Sequence, residues 1–209
     1  MWYPILLTVL AGYLLGNLNG SVLISLAFSK EDVRSRGSGN AGLTNFFRSY
    51  GSWSTLLVLL IDACKTVLAC LLGKALLQPF GLAAEGSMIG ALAVSLGHDF
   101  PALLGFRGGK GIVCGLAVAV VNDWRIALMI LGVFVVVFAI TRLVSLGSVL
   151  AAVTFAVGFI IFHRSEPVVL IAGILMAALA LFMHRGNIAR LLKGEEKKVH
   201  LIHRERNKE

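Results

Sequence analysis

The chain has 209 residues, of which 57% are hydrophobic and only 14% are charged, whereas soluble proteins are about one quarter charged. Its formal net charge is +8. In a chain this apolar we attribute the basic residues to membrane orientation and expect no nucleic-acid partner. Cys64, Cys70 and Cys114 lie in apolar segments without metal-ligand spacing, so nothing indicates disulfides. Composition predicts an all-α polytopic membrane protein, and residues 1–209 are treated as a single transmembrane domain.

Seven apolar runs predict helices, and several approach or exceed the ~18 residues needed to cross a bilayer. They are Pro4–Phe28, Trp53–Leu77, Leu82–Leu96, Gly109–Val121, Arg125–Ile140, Leu146–Phe162 and Pro167–Met183. The first lacks a basic leading segment and a small-residue cleavage site, so we interpret it as a retained helix. The third and fourth are short. We therefore predict a bundle of about seven spans, with five spans as the alternative, in which that pair lies partly in the membrane interface.

The distribution of basic residues predicts the orientation, because cytoplasmic loops of membrane proteins are enriched in Lys and Arg. Most of the 19 basic residues lie in the loop at 29–52, the loop at 97–112, residues 141–145 and the segment after Met183. We expect these regions in the cytoplasm, the N-terminus outside and the C-terminus inside. The tail from about residue 197 is expected to be flexible.

Two ionisable residues interrupt the second predicted helix. Asp62 and Lys65 are three residues apart and share a helical face. Charged residues inside a span are costly and are usually paired, so we predict a mutual structural pair. A direct role in a functional site is the alternative.

The first of three polar islands is RGSGNAGLTNFFR, residues 36–48. Its glycines are Gly37, Gly39 and Gly42, and its uncharged polar residues are Ser38, Asn40, Thr44 and Asn45. Backbone amides, hydroxyls and carboxamides are neutral hydrogen-bonding groups suited to anionic oxygen, and Arg48 adds a guanidinium that can grip a phosphate at two points. The alternative is an ordinary polar loop that caps the following helix.

The second island is GHDFPALLGFRGGKGI, residues 97–112. Its glycines allow backbone N–H groups to converge, and Lys110 supplies a point charge, so the island suits a phosphate oxygen. A nucleotide P-loop is excluded, because Leu104 and Gly111 occupy positions where that motif needs Gly and Ser or Thr. A flexible basic loop is the alternative.

The third island is HRGNIARLLKG, residues 184–194. His184 and Asn187 lie three residues apart, so on a helix they share one face and can point into one pocket. An interfacial histidine without a catalytic role is the alternative. Ser148, near the start of the sixth predicted helix, is a weaker candidate, since a serine there can also bond to its own backbone.

The islands offer many phosphate-binding groups and few carboxylates. The aspartates form no cluster that would hold Mg²⁺, and neither a zinc signature nor a GxSxG nucleophile motif is present. The sequence favours a site that binds two phosphates and needs no metal or other cofactor. A transporter of an organic phosphate is the alternative, although no inverted repeat is visible.

The islands resemble the three signature motifs of the PlsY family, bacterial membrane glycerol-3-phosphate acyltransferases that use acyl phosphate. The resembling segments are GSGNAGLTN at 37–45, GHDFPALLGFRGGKG at 97–111 and HRGNIARLLKGEE at 184–196. The chain departs from the family pattern at Ala41, Leu43, Val113, Cys114 and Gly186. The resemblance implies seven helices in the bacterial plasma membrane. It also implies acyl transfer from acyl phosphate to the 1-hydroxyl of glycerol 3-phosphate, giving lysophosphatidate and phosphate at the cytoplasmic face.

Motif position and donor type suggest the roles of individual residues. The predicted catalytic residues are His184, Asn187, Lys110 and Ser38. The predicted substrate-binding residues are Gly37, Gly39, Asn40, Gly42, Thr44, Asn45, Arg48, His98, Gly108, Gly109, Gly111 and Ser148. The first island is expected to hold the phosphoryl group of acyl phosphate, while Lys110, Arg48, Ser38, His184 and Asn187 hold glycerol 3-phosphate. The expected partners are these two substrates and membrane lipids, and the oligomeric state is left open.

The group that removes the proton from the attacking hydroxyl is left open between His184 and a phosphate oxygen of a substrate. We favour the substrate, because no carboxylate is visible in the sequence that would orient the histidine.

Overall fold

The structure is a computed structural model that describes residues 2–199. Within these residues the chain forms ten α-helices and no strand, so the all-α prediction is confirmed. The helices are α1 (Trp2–Asn17), α2 (Gly20–Ser29), α3 (Leu43–Tyr50), α4 (Ser52–Leu77), α5 (Ala83–Asp99), α6 (Ile112–Asn122), α7 (Trp124–Thr141), α8 (Val144–Phe162), α9 (Pro167–Met183) and α10 (Arg185–Leu192). Short 3-10 turns lie at Val33–Ser35, Gln78–Phe80 and Ala102–Leu104.

Five helical segments of the described chain are long and apolar enough to cross a bilayer. A sixth is obtained when α9 and α10, which meet at a bend of 58°, are taken together. The predicted fourth helix corresponds to α6, which has only 11 residues. At 1.5 Å per residue it is about 16 Å long, well short of the ~30 Å hydrocarbon core. The count of seven spans and the orientation stay predictions.

The first predicted helix, Pro4–Phe28, is divided in two, so the prediction of one continuous helix was wrong. α1 ends at Asn17 and α2 begins at Gly20. Asn19 leaves the helical conformation, with φ −83° and ψ 113°, and its side chain caps α2 by accepting a hydrogen bond from the N–H of Val22 at 3.1 Å. A break at membrane depth is tolerated where other protein groups satisfy the freed backbone atoms.

Asp62 and Lys65 of α4 satisfy the backbone at this break. The Lys65 ammonium donates to the carbonyl oxygens of Leu18 at 2.8 Å and Gly16 at 3.4 Å, and the Asp62 carboxylate accepts the N–H of Gly20 at 3.2 Å. The two side chains bond to each other at 2.7 Å, so the predicted structural pair is confirmed. Each charge also meets the helix end that favours it, the cation after α1 and the carboxylate before α2.

α5 lies at the centre of the bundle, where it packs against α1, α4, α6 and α9. Glycines permit this close packing: a methyl group built on Gly86 of α5 would lie 2.8 Å from the Cβ atom of Leu77. Small residues at such contacts are typical of helices in membranes. Because α5 is held on several sides, its last residues, His98 and Asp99, form a fixed base for the glycine-rich loop that follows.

Candidate active site

Direct contacts connect the three polar islands at one end of the bundle. Arg34 donates from Nη1 to the carbonyl oxygens of Leu104 at 2.7 Å and Arg107 at 3.0 Å, which joins the segment before the first island to the second. The Lys110 ammonium donates to Oδ1 of Asn187, joining the second island to the third. The islands predicted separately from the sequence therefore form one polar region.

Asn45 organises the first island. Its Oδ1 accepts the N–H of Ser38 at 2.9 Å, and its Nδ2 lies 3.0–3.2 Å from the carbonyl oxygens of Val33, Arg36 and Asn40. The residue is only 4% exposed. Because its polar atoms are used within the loop, we assign Asn45 to loop folding and not to the substrate contact expected from the sequence.

The remaining polar groups of the first island are accessible to a ligand. Gly37 and Gly39 have φ values of 60° and 71°, a left-handed conformation that glycine adopts without strain. Ser38 and Arg48 are exposed, and Thr44 is half-buried. α3 begins at Leu43, after Gly42, without a side-chain cap among the described residues. The first N–H groups of a helix have no partner within it, so they can donate hydrogen bonds to a bound anion.

The glycine-rich loop differs in one respect from the convergent amides predicted for it. The N–H groups of Gly108 and Gly109 donate to the carbonyl oxygens of Asp99 at 3.2 Å and His98 at 3.0 Å. These two amides fold the loop back onto the end of α5 and are therefore not ligand donors. Gly111 has φ 68° and precedes α6, whose first turn has no side-chain cap within residues 2–199. The loop thus offers the first turn of α6 and Lys110.

Lys110 lies between the glycine-rich loop and α10. Asn187 receives its hydrogen bond and donates in turn from Nδ2 to Glu196 at 2.9 Å, while Arg190 donates to the other oxygen of Glu196 at 2.7 Å. Burial lowers the pKa of Lys110, and the nearby Arg190 and Arg48 lower it further, while Glu196 opposes them. We did not predict a role for Glu196 from the sequence. Its place at the end of the third motif was the only available signal.

His184 is 4% exposed and lies between α9 and α10. Its Nδ1 lies 2.8 Å from the carbonyl oxygen of Ala180. A carbonyl only accepts hydrogen bonds, so Nδ1 carries the proton and Nε2 is the acceptor of the neutral ring. In the described part of the chain no carboxylate bonds to this ring. Ser148 is also buried, near the start of α8, which packs against α10.

The tail packs against the bundle as far as it is described. The N–H of Val199 donates to the carbonyl oxygen of Arg142 at 3.0 Å, and Val199 is 7% exposed. The carbonyl oxygen of Lys197 accepts a hydrogen bond from Arg48 at 3.2 Å. The rest of the tail predicted to be flexible, residues 200–209, lies outside the described residues.

The chain is similar to known proteins over most of its length. A family model described as glycerol-3-phosphate acyltransferase matches residues 6–194. The chain is 39% identical over 193 residues to the glycerol-3-phosphate acyltransferase of Thermoanaerobacter pseudethanolicus, covering 92% of this chain and 94% of the relative. It is 37% identical over 198 residues to that of Clostridioides difficile, covering 94% and 96%.

The chain belongs to the PlsY family of glycerol-3-phosphate acyltransferases. Its fold is similar to the crystal structure of PlsY (YgiH) in the glycerol 3-phosphate form, with a TM-score of 0.83 and 34% identity over 94% of this chain and 96% of the other. The lysophosphatidic acid form gives a TM-score of 0.80 at 33% identity over 94% and 95%. The resemblance of the three motifs to this family is confirmed, and the family favours the acyltransferase over the transporter.

Among the predicted site residues, the structure brings Lys110 and Asn187 into direct contact, next to Arg190 and Glu196, which were not predicted from the sequence. It places His98 below the glycine-rich loop, 4% exposed, with Nδ1 2.9 Å from the Lys65 ammonium. His98 is therefore part of the buried network at the α1–α2 break as well as a neighbour of the loop.

The assignment of Asn45 to loop folding predicts the effect of an isosteric change. Asn45→Asp replaces the donating amide by an acceptor that faces three carbonyl oxygens, so we expect a loss of about 1–3 kcal/mol in the free energy of unfolding. Thermal unfolding in detergent and tryptic cleavage after Arg36 measure the loss. Asn40→Asp is the matched control in the same loop. Equal stability of the two variants would contradict the assignment.

Proposed function

We propose that the protein transfers an acyl group from acyl phosphate to the 1-hydroxyl of glycerol 3-phosphate. The products are 1-acylglycerol 3-phosphate and inorganic phosphate. Membership of the PlsY family supports the acceptor, and the polar region at the end of the bundle supports a site for two phosphates. The observation that carries the proposal is the contact between Lys110 and Asn187, because it unites the glycine-rich loop with the third motif beside the buried His184.

In this proposal Lys110 is the principal cation for the phosphate of glycerol 3-phosphate. Its neighbours Arg48 and Arg190 add positive charge, and the first turn of α6 adds backbone N–H groups. Asn187 offers an amide and the exposed Ser38 a hydroxyl to the acceptor. Ser148 is a further candidate because it is buried on α8, next to α10.

The first island is the proposed site of the acyl-phosphate phosphoryl group. The start of α3 supplies N–H groups and the positive end of a helix dipole, and Thr44 and Asn40 supply polar side chains. The glycines at 37, 39 and 42 leave the backbone accessible. Asn45 acts here only through the shape of the loop.

The chemical step follows from the two bound phosphates. The 1-hydroxyl oxygen attacks the acyl carbon, the bond from that carbon to the phosphate oxygen breaks, and phosphate leaves with the electron pair. We assign the hydroxyl proton to an oxygen of the leaving phosphate, so that it departs as hydrogen phosphate. His184 then orients the acceptor and does not act as the base. Its ring bonds to the neutral carbonyl of Ala180 and to no carboxylate of the described residues, and a carboxylate is what would strengthen it as a base. Alignment of two bound reactants supplies much of the rate.

The location follows from the same features. The apolar helices are long enough to cross a membrane, and the enrichment of basic residues at the site end supports a cytoplasmic position for that end. We therefore propose a protein of the bacterial plasma membrane whose active site faces the cytoplasm, where glycerol 3-phosphate is available and the lipid product enters the bilayer directly.

A donor comparison tests the proposed reaction. The purified protein in detergent is given glycerol 3-phosphate with palmitoyl phosphate, palmitoyl-CoA or palmitoyl acyl carrier protein, in the presence of a chelator. We expect phosphate release and lysophosphatidate formation with palmitoyl phosphate alone. Activity only with a thioester would contradict the proposed donor. Glycerol 3-phosphate binding without transfer from any donor would point to the transporter.

Substitution of His184 tests the proposed proton transfer. Loss of a hydrogen bond between neutral groups costs about 0.5–1.5 kcal/mol, so His184→Ala should raise the KM for glycerol 3-phosphate roughly twofold to tenfold with a smaller change in kcat. His163→Gln, after α8 at the opposite end of the bundle, is the control. A loss confined to kcat would instead make His184 the general base.

The lowered pKa of Lys110 predicts the alkaline limit of the reaction. The phosphate site needs the ammonium form, so kcat/KM for glycerol 3-phosphate should fall as pH rises through a value below the ordinary lysine pKa of 10.5. Lys110→Arg keeps the charge to higher pH and should move the fall upward, whereas Lys74→Arg at the far end of α4 should not. A wild-type limit at or above the ordinary value would contradict this role.

A further inference from the structure

The Lys65 ammonium has four possible acceptors around it. They are Oδ1 of Asp62 at 2.7 Å, the carbonyl oxygen of Leu18 at 2.8 Å, Nδ1 of His98 at 2.9 Å and, furthest away, the carbonyl oxygen of Gly16 at 3.4 Å. An ammonium has three protons, which matches the three shortest contacts. The group is buried, so no bulk water competes for these protons.

The contact with Lys65 determines where the proton of His98 lies. An ammonium only donates, so Nδ1 of His98 must accept and carries no proton. Asp62 does not change this, because its Oδ1 lies 3.6 Å from Nδ1, beyond hydrogen-bond distance. The neutral ring of His98 therefore carries its proton on Nε2.

The protonated Nε2 side of His98 lies against the glycine-rich loop. A methyl group built on Gly109 would lie 2.8 Å from Cε1 and 3.0 Å from Cδ2 of this ring and would also overlap Nε2. The carbonyl oxygen of His98 accepts the N–H of Gly109 at 3.0 Å, so backbone and ring of one residue hold the same loop position. Gly109 directly precedes Lys110, the proposed phosphate cation.

We propose that the Asp62–Lys65 pair fixes His98 as an Nε2–H donor to a phosphate oxygen held at the glycine-rich loop. In this role His98 contacts the ligand, and Lys65 is a positioning residue that acts through it. The proposal rests on the proposed function only in that the anion is a substrate phosphate, of glycerol 3-phosphate or of acyl phosphate. The Asp62–Lys65 pair then has a second role, in addition to its hydrogen bonds with the backbone at the α1–α2 break.

The tautomer can be measured directly by NMR of the full-length protein with ¹⁵N-labelled histidine rings. The signal of His98 is the one missing from His98→Gln or His98→Asn. We expect an unprotonated Nδ1 and a protonated Nε2, and we expect the Nε2 signal to shift when glycerol 3-phosphate or inorganic phosphate is added. A proton on Nδ1, a doubly protonated ring or a signal that ignores both ligands would overturn the proposal.

Kinetics of two amide variants separate donation from packing. Gln places its amide near the position of Nε2, whereas Asn reaches only the position of Nδ1. His98→Asn should raise the KM for one phosphate substrate roughly tenfold to a hundredfold, and His98→Gln should retain most of the affinity. KM values for glycerol 3-phosphate and palmitoyl phosphate, measured separately, show which phosphate is held. Equal losses in both variants, or unchanged KM values in His98→Asn, would overturn the proposal.

Two further variants of buried residues complete the test. Lys65→Met leaves the Asp62 carboxylate as the neighbouring charge, so the His98 proton should move to Nδ1 and the phosphate-dependent shift should disappear. Ser95→Ala, one turn before His98, removes only a bond to Ala91 within α5 and should change neither. If the wild-type protein transfers no acyl group, the proposed function fails, but the tautomer and its response to inorganic phosphate still decide the role of His98.

Discussion

The buried ammonium group of Lys65 connects the parts of the protein that carry the candidate site. An uncompensated buried charge is costly, but here it meets a carboxylate, the carbonyls of Gly16 and Leu18 at the end of α1, and an imidazole nitrogen. The break that it stabilises is itself joined to both loops. Asn17 accepts the N–H of Leu103 at 3.0 Å, and Asn19 donates to the carbonyl oxygen of Ala41 at 3.0 Å. The residues at the break between α1 and α2 thus hold both loops of the polar region in place.

In the proposed site, some hydrogen-bonding groups shape the loops and others are left for the ligand. Asn45, Gly108 and Gly109 use their groups to shape the two loops. The first N–H groups of α3 and α6 have no partner within their helices and no side-chain cap among the described residues. Lys110, Asn187 and Glu196 form a chain that holds the cation in place. In the proposed function, a substrate phosphate would meet an ammonium group that Asn187 already orients. Groups that are oriented before the reaction can stabilise charge that develops in the transition state, because they need not reorganise.

The sequence was sufficient for the elements that depend on composition and local pattern. Apolar length predicted α9 with its exact bounds, Pro167–Met183, and motif spacing predicted the three islands. It was not sufficient for the break at Asn19. Residues 16–21 read GNLNGS, a polar stretch rich in glycine, but the run around it is long and apolar, and the partners that stabilise the break come from α4. The use of the Gly108 and Gly109 amides by α5, and the position of Glu196 beside Asn187, are likewise tertiary contacts that no local pattern reports.

In the proposed function, the contact between Lys110 and Asn187 marks the place where the acceptor phosphate binds. A crystal structure of this protein with bound glycerol 3-phosphate tests it most directly. We expect phosphate oxygens within hydrogen-bond distance of the Lys110 ammonium, with the 1-hydroxyl beside His184. A phosphate bound at the start of α3, with Lys110 still donating only to Asn187, would contradict it.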